Sequence, residues 1–151
     1  MDYPYFAYGS NMSLDQMSLR CPGAKLLNSA RLEGWKYYIN SDGYAGIQES
    51  EGQHVMGGLW ILKDEHWKSL DSYEAVDLGF YTKAKIMVHD NLSRINKECI
   101  VYLSTNRNYG IPSKDYQDGV IQGARDMGLS ENYICYLESW RTGQPSSHSL
   151  K

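Results

Sequence analysis

Two stretches of the chain place residue types where chemistry is possible. The first is "YPYFAYGSNMS" (3–13), in which a run suited to a buried strand passes directly into Gly9-Ser10-Asn11. When a strand ends in such a turn and a helix starts at once, the amides of turn and helix start can point the same way. With the helix dipole they favour a carboxylate or a developing oxyanion. Gly9 lets the backbone come close to a ligand. The second stretch is "LDSYEAVDLGFY" (70–81), where Glu74 stands at the end of a helical pattern beside Leu70, Tyr73, Val76 and Phe80. A carboxylate at a helix C-terminus opposes the macrodipole and costs about 0.3 kcal/mol or more. From spacing alone, Glu74 either faces water or stands in a pocket whose apolar walls raise its pKa.

Other chemistries have little to rest on. The chain contains no G-x-S-x-G, no G-x-x-x-x-G-K-[ST], no G-x-G-x-x-G and no H-E-x-x-H. His54, His66, His89 and His148 fall in segments that read as strand, helix, strand and tail, a spacing that makes no ligand set. Cys21 beside Pro22 is a nucleophile only if a base folds next to it, and otherwise an inert small thiol. Neither a metal nor a cofactor is expected.

The elements that position these residues follow from period and punctuation. Residues 3–8 read as a strand, with Pro4 at an edge or at the first ladder position. Ser13-Leu14-Asp15-Gln16 has the capping-box pattern, which starts a short helix to about Arg20 that Cys21-Pro22-Gly23 stops. The stretches 24–40 and 54–62 read as paired strands joined by the loop "SDGYAGIQESEGQ" (41–53). A helix is predicted over 64–76, with Trp67, Leu70 and Tyr73 on one face. "FYTKAKIMVHD" and "KECIVYLS" are two further strands, turning near Asp90-Asn91. Two helices follow, one carrying Tyr116, Val120 and Met127 before Gly128, the other starting at Ser130 with Tyr133, Leu137 and Trp140 on one face. From Thr142 the tail is polar and expected to be loose. Without a repeat or linker, residues 1–141 are expected to form a single domain and 142–151 a tail. The predicted class is α+β: a small mixed, largely antiparallel sheet that curls into a β-barrel, with helices packed around it.

Composition bounds the partners. A chain of 151 residues can bury about 70% of its unfolded surface in one core. With 13 Tyr and 4 Trp against 2 Phe, its aromatics favour a lined cavity over a bare core. The net charge of −3 comes without a Lys/Arg run, so nucleic acid is not an expected partner. Cys21, Cys99 and Cys135 are odd in number and far apart, which suits a reducing compartment rather than a disulfide framework. The sequence shows no apolar run near the length of a membrane span and no signal-peptide pattern, so a cytoplasmic protein is expected.

These residues also carry a resemblance. "YFAYGSNM" (5–12), "ARLEGWK" (30–36), "GGLWIL" (57–62), "LDSYEAV" (70–76) with "GFY" (79–81), and "YQDGVIQGARDMGLSENYICYLE" (116–138) make the chain similar to the gamma-glutamylcyclotransferase family. Members release 5-oxoproline from gamma-glutamyl compounds. Tyr-Gly-Ser-Asn followed by an apolar residue looks more like the glutathione-pathway and antibiotic-biosynthesis branches than the gamma-glutamylamine branch. Ala75 departs from the family, which commonly has Gly after the Glu, a change that could narrow the pocket. The resemblance implies a small barrel with surrounding helices, a binding loop over Tyr5, Phe6, Ala7, Tyr8, Gly9, Ser10 and Asn11, and pocket tyrosines at Tyr81 and Tyr116. It implies Glu74 as general acid/base, a small gamma-glutamyl substrate, no cofactor, and a monomer or homodimer.

The implied chemistry suits the residues. A gamma-glutamyl amide carries its own nucleophile, because its alpha-amine can attack its gamma-carbonyl and close a lactam. Such intramolecular attack is worth roughly 7 kcal/mol or more. One carboxylate acting first as base and then as acid supplies the proton transfers. A free Glu near pKa 4.3 facing an amine near 8 is mismatched by about 5 kcal/mol, so Glu74 needs an apolar surround. The amides of Gly9, Ser10 and Asn11 hold either the alpha-carboxylate or the oxyanion. Tyr81 and Tyr116 either orient Glu74 or the substrate, or are core aromatics with satisfied hydroxyls. Two other functions fit the same residues. One removes a gamma-glutamyl protecting group from an aminoglycoside intermediate, with Asp42, Glu49 and Glu51 at the pocket mouth or simply solvated. The other is a non-catalytic small-molecule binder, against which an acid at position 74 argues.

Overall fold

A computed structural model describes residues 3–145. His148 and the rest of the polar tail from 146 onward lie outside the described residues. The strands are β1 (Tyr3–Ala7), β2 (Lys25–Ile39), β3 (Ala45–Leu62), β4 (Tyr81–Asp90) and β5 (Asn96–Ser104). The helices are α1 (Leu14–Arg20), α2 (Asp64–Tyr73), α3 (Lys114–Asp126) and α4 (Glu131–Ser139). Short 3-10 turns occupy Ser10–Met12, Val76–Leu78 and Trp140–Thr142. The strands close into a barrel in the order β1-β3-β2-β4-β5. Neighbours are antiparallel except at the closure, where β1 meets β5 in parallel at Tyr5↔Ile100. The expected α+β barrel is therefore observed. Pro4 stands at the second rung of β1, opposite Ile61, rather than at its first.

The largest departure from the sequence expectation is the stretch read as a loop over 41–53. Only the turn after Asn40 and an excursion between Glu49 and His54 leave the ladder, and β2 pairs with β3 from Trp35↔Glu49 to Ile39↔Ala45. Gly46 misled the expectation. A Cβ built there would stand 2.8 Å from Tyr38 Cζ and 2.9 Å from Ser104 Cβ, so this glycine marks a close approach inside a strand. The turn itself is held by Asn40, whose Oδ1 accepts from Asp42 N–H (3.0 Å) and Tyr44 N–H (3.1 Å).

The helices fix the two ends of the prospective site. Val120, Ile121 and Ala124 of α3 are buried in the core, and each such side chain stabilises the fold by about 1–3 kcal/mol. A Cβ on Gly123 would meet Ser13 N at 2.6 Å and Met12 Cβ at 2.7 Å, so only glycine lets α3 lie directly on the turn that follows β1. Ser13 caps α1 by accepting from Gln16 N–H at 3.3 Å. Between α1 and α2 runs a polar strap. His66 Nδ1 accepts from Lys63 N–H (3.0 Å), so its Nε2 carries the proton and donates to Pro22 O (2.8 Å). Ser69 Oγ donates to Arg20 O at 2.5 Å. The α2 helix ends at Tyr73 instead of 76, because Ala75 takes the left-handed conformation (φ 52°, ψ 46°). That leaves Glu74 as its C-terminal cap. Among the described residues no helix is long and apolar enough to cross a membrane.

Candidate active site

The end of α2, the start of β4, the Asn40–Tyr44 turn and the first turn of α3 enclose a cleft of about 460 Å³. Its floor carries Ser10 and Glu74, and its walls include Tyr81 and Tyr116. The same four residues bound a smaller inner space of about 30 Å³, reached by Tyr5, Tyr8, Asn11 and Tyr102. The two sequence candidates, 63 residues apart, meet here: Asn11 Nδ2 donates to Glu74 Oε1 over a long 3.4 Å.

On the binding-loop side, strand geometry sorts the residues. Tyr5 and Tyr8 line the inner space, whereas Phe6 and Ala7 are buried without lining either cavity. Tyr5 OH accepts from Asn11 Nδ2 at 2.9 Å, and Tyr8 OH donates to Tyr102 O at 2.6 Å. The backbone bonds of the 3-10 turn start with Met12 N–H on Gly9 O (3.1 Å), so the amides of Gly9, Ser10 and Asn11 are not used by that turn. Gly9 lies so close to the opposite wall that an added Cβ would stand 3.2 Å from Ala45 Cβ and 3.4 Å from Tyr116 OH.

The tyrosines hold the far wall. Tyr81 OH donates to Ala45 O (2.6 Å), and Ala45 N–H donates to Tyr116 OH (3.1 Å). The hydroxyl of Tyr81 is thus satisfied by backbone, while Tyr116 keeps its own proton for another acceptor. Burial pushes the pKa of both above the ordinary tyrosine value, so both are neutral donors at physiological pH.

Glu74 is the perturbed group. Burial pushes its carboxyl up to about 7, against the opposing pull of Arg20 and the hydrogen bond from Asn11. The surround is more aromatic than the expected Leu70, Val76 and Phe80. Phe80 lines the outer cleft, and the inner face of the carboxyl meets tyrosines. Cys21 is excluded as a nucleophile by the same physics: burial pushes its thiol up to about 11, and its Sγ points to His66 O at 3.7 Å. His54 stacks on Tyr133 and His89 pairs with Asn96. Among the described residues no cluster of ligating side chains could hold a metal.

The structure adds residues that sequence reasoning missed. Arg20, the last residue of α1, reaches into the site through Ser10, Asn11 and Tyr73. A basic residue at a helix C-terminus reads as a simple complement to the dipole, which hid it. Asp42 and Tyr44 line the outer cleft, but Glu49 and Glu51 of the same stretch do not.

Comparisons with known proteins show what the chain is similar to. The model of the AIG2-like family matches residues 54–137. A gamma-glutamylcyclotransferase from Homo sapiens is 34% identical over 159 residues, covering 97% of this chain and 81% of that protein. One from Mus musculus is 34% identical over 141 residues, covering 85% and 73%. A solved structure of a gamma-glutamyl cyclotransferase superposes with a TM-score of 0.86 at 30% identity, covering 100% of this chain and 93% of its own.

Proposed function

The chain belongs to the AIG2-like, gamma-glutamylcyclotransferase family, and from that premise we propose how its cleft releases 5-oxoproline and a free amine from a gamma-glutamyl substrate. Glu74 takes a proton from the substrate's alpha-ammonium. The freed amine attacks the gamma-carbonyl carbon, the ring C–N bond forms, and the carbonyl oxygen takes up negative charge. As that charge collapses, the bond to the leaving nitrogen breaks and Glu74 returns the proton to it; the second proton of the ring nitrogen then passes by the same carboxylate to the departing amine, which leaves a neutral lactam and an ammonium. Base and acid are one carboxylate, and the nucleophile is the substrate's own.

The observation that carries this reading is the meeting of Glu74 with the Gly9–Asn11 turn across one cleft. A carboxyl raised to about 7 faces an amine near 8 with a mismatch of about 1.4 kcal/mol, against about 5 for an ordinary Glu. In this reading the turn amides hold the alpha-carboxylate or the oxyanion, a donor of the latter kind being worth about 3–4 kcal/mol. Tyr5, Tyr8, Tyr81 and Tyr116 serve as walls, and Phe6 and Ala7 support the strand that carries the turn. In this proposal residues 1–141 form the catalytic domain and 142–151 a tail. It requires neither cofactor, nucleic acid nor membrane. One protomer, alone or in a homodimer, contains every residue named. A cytoplasmic setting suits the free thiols Cys21 and Cys99.

Release of 5-oxoproline from gamma-glutamyl-alanine, glutathione and a gamma-glutamyl-amine tests the assignment. Turnover of at least one is expected. Binding without turnover of any would leave a binding module instead. A second reading concerns the leaving group. The charged residues on the cleft wall are Glu74 and Asp42, and an acid beside the aromatic rings of Tyr44 and Phe80 suits a leaving amine with a distal positive charge, as in an aminoglycoside. Gamma-glutamyl derivatives of butane-1,4-diamine, butylamine and 4-aminobutyrate carry a positive, a neutral and a negative end group on chains of similar length. Falling kcat/KM in that order supports the reading, and the reverse order rejects it.

A further inference from the structure

Arg20 makes more contacts within the site than any role as a helix end requires. Its Nη1 donates to Asn11 Oδ1 at 2.5 Å and to Ser10 Oγ at 3.0 Å. Its Nη2 donates to Tyr73 OH, and the guanidinium carbon lies 3.4 Å from the centre of the Tyr73 ring. Arg20 thus grips the binding turn on one side and the residue preceding Glu74 on the other. The planar fork of an arginine holds several acceptors in fixed directions, which the compact, rotating ammonium of a lysine does not.

The consequence falls on Asn11. A carboxamide has an acceptor at one end and donors at the other. With a guanidinium on Oδ1, Nδ2 must turn to the opposite side, where it meets Tyr5 OH (2.9 Å) and Glu74 Oε1 (3.4 Å). The flipped amide would present Oδ1 to the Glu74 carboxylate and leave its NH₂ against a cation. We propose that Arg20 is a positioning residue, which by fixing the orientation of Asn11 makes the general base face a hydrogen-bond donor instead of an acceptor. The inference rests on Glu74 being that base, but its deciding readout, the Glu74 titration, is of the resting enzyme and does not depend on turnover.

The other groups facing Glu74 do not supply this. Tyr5 from β1, Tyr8 just after it, Tyr81 from β4, Tyr102 from β5 and Tyr116 from α3 are all pushed up by burial and stay neutral. Asp71 on α2 is engaged by Tyr102 OH (2.6 Å) and Lys83 Nζ (2.9 Å). Arg20 is the cation acting on Glu74, and Asn11 its hydrogen-bond donor.

Carboxyl titration of Glu74, followed by ¹³C NMR and assigned by its loss in Glu74→Gln, reads the effect directly. In Arg20→Met the titration midpoint is expected to rise by about 1 pH unit, and the acid limb of kcat/KM with it. Arg20→Lys keeps the charge but loses the fork, so an intermediate rise is expected. The decisive arm repeats Arg20→Lys in an Asn11→Ala background, where the orientation effect has nothing to act on. There the lysine substitution should no longer move the midpoint. An unchanged midpoint in Arg20→Lys, or an equal rise with and without Asn11, overturns the proposal. Should Arg20→Met not fold, as circular dichroism would report, the Arg20→Lys pair decides by itself.

Discussion

Two carboxylates flank strand β4, and they have opposite surroundings. Asp90, at its end, is 2% exposed and fully engaged. Its Oδ1 accepts from Asn28 Nδ2 (2.6 Å), Leu92 N–H (2.9 Å) and Ser93 N–H (3.2 Å), and its Oδ2 meets Lys97 Nζ at 2.8 Å. Burial alone would raise its pKa, but Lys97, the two amides and Asn28 outweigh burial and hold the carboxyl well below the usual range. Glu74, before the strand begins, has one long bond from Asn11 and rises to about 7. Desolvation pushes both carboxyls upward. The donor count decides the sign, and so separates a carboxylate that holds the β4–β5 turn from one left free to exchange a proton.

The sharpest way to break that contrast is to remove each charge in turn. Glu74→Gln should fold and lose 5-oxoproline release by about 10²–10⁴-fold, the usual worth of a positioned acid/base, while Glu74→Asp keeps a trace. Near-wild-type activity in the Gln variant would end the assignment. Asp90→Asn should do the reverse, leaving kcat/KM within a few-fold and costing about 2 kcal/mol in a urea titration at pH 7. Because the folded pKa of Asp90 is depressed, that cost is present above the ordinary carboxylate range and fades as pH falls below it.

The stability of Glu74→Gln then gives the opposite sign. A folded pKa of about 7 against an ordinary 4.5 means that wild type loses stability as pH rises between those values, since the unfolded chain ionises first. Removal of the carboxyl should therefore stabilise the fold at pH 8 by roughly 1–2 kcal/mol, after allowance for solvent screening of a half-buried group, and have no effect at pH 4. Equal melting curves at both pH values would place Glu74 in water. The smallest effect concerns the turns beside each acid, where Ala75 (φ 52°) and Arg94 (φ 61°) adopt a conformation that suits glycine. Ala75→Gly should gain about 1 kcal/mol by thermal melt, and Arg94→Gly a similar amount. A loss at Ala75 would mean that its methyl group packs usefully on the cleft.

Much of this was legible before any coordinates. The Gly9-Ser10-Asn11 turn, the Ser13 and Ser130 helix starts and the apolar faces of α3 and α4 are local patterns, and local patterns determine local structure. Glu74 was visible as an acid out of place at a helix end. The stretch 41–53 was not legible, because Gly46 and its polar neighbours look like a loop until Tyr38 and Ser104 are packed against them. Arg20 was not legible either, since nothing within α1 shows that Asn11 and Tyr73 stand within its reach.

By itself, then, the sequence determined which residues could act: a turn rich in free amides, one acid where a base would be commoner, and tyrosines to line a cavity. Only the tertiary structure decided how that acid behaves. A carboxyl's proton affinity depends on how much water and how many donors surround it, and those around Glu74 come from β1, β4, β5, α1 and α3. Desolvation acts on Asp90 as well, and the two acids part only when the chain has closed its barrel and given Asp90 its partners.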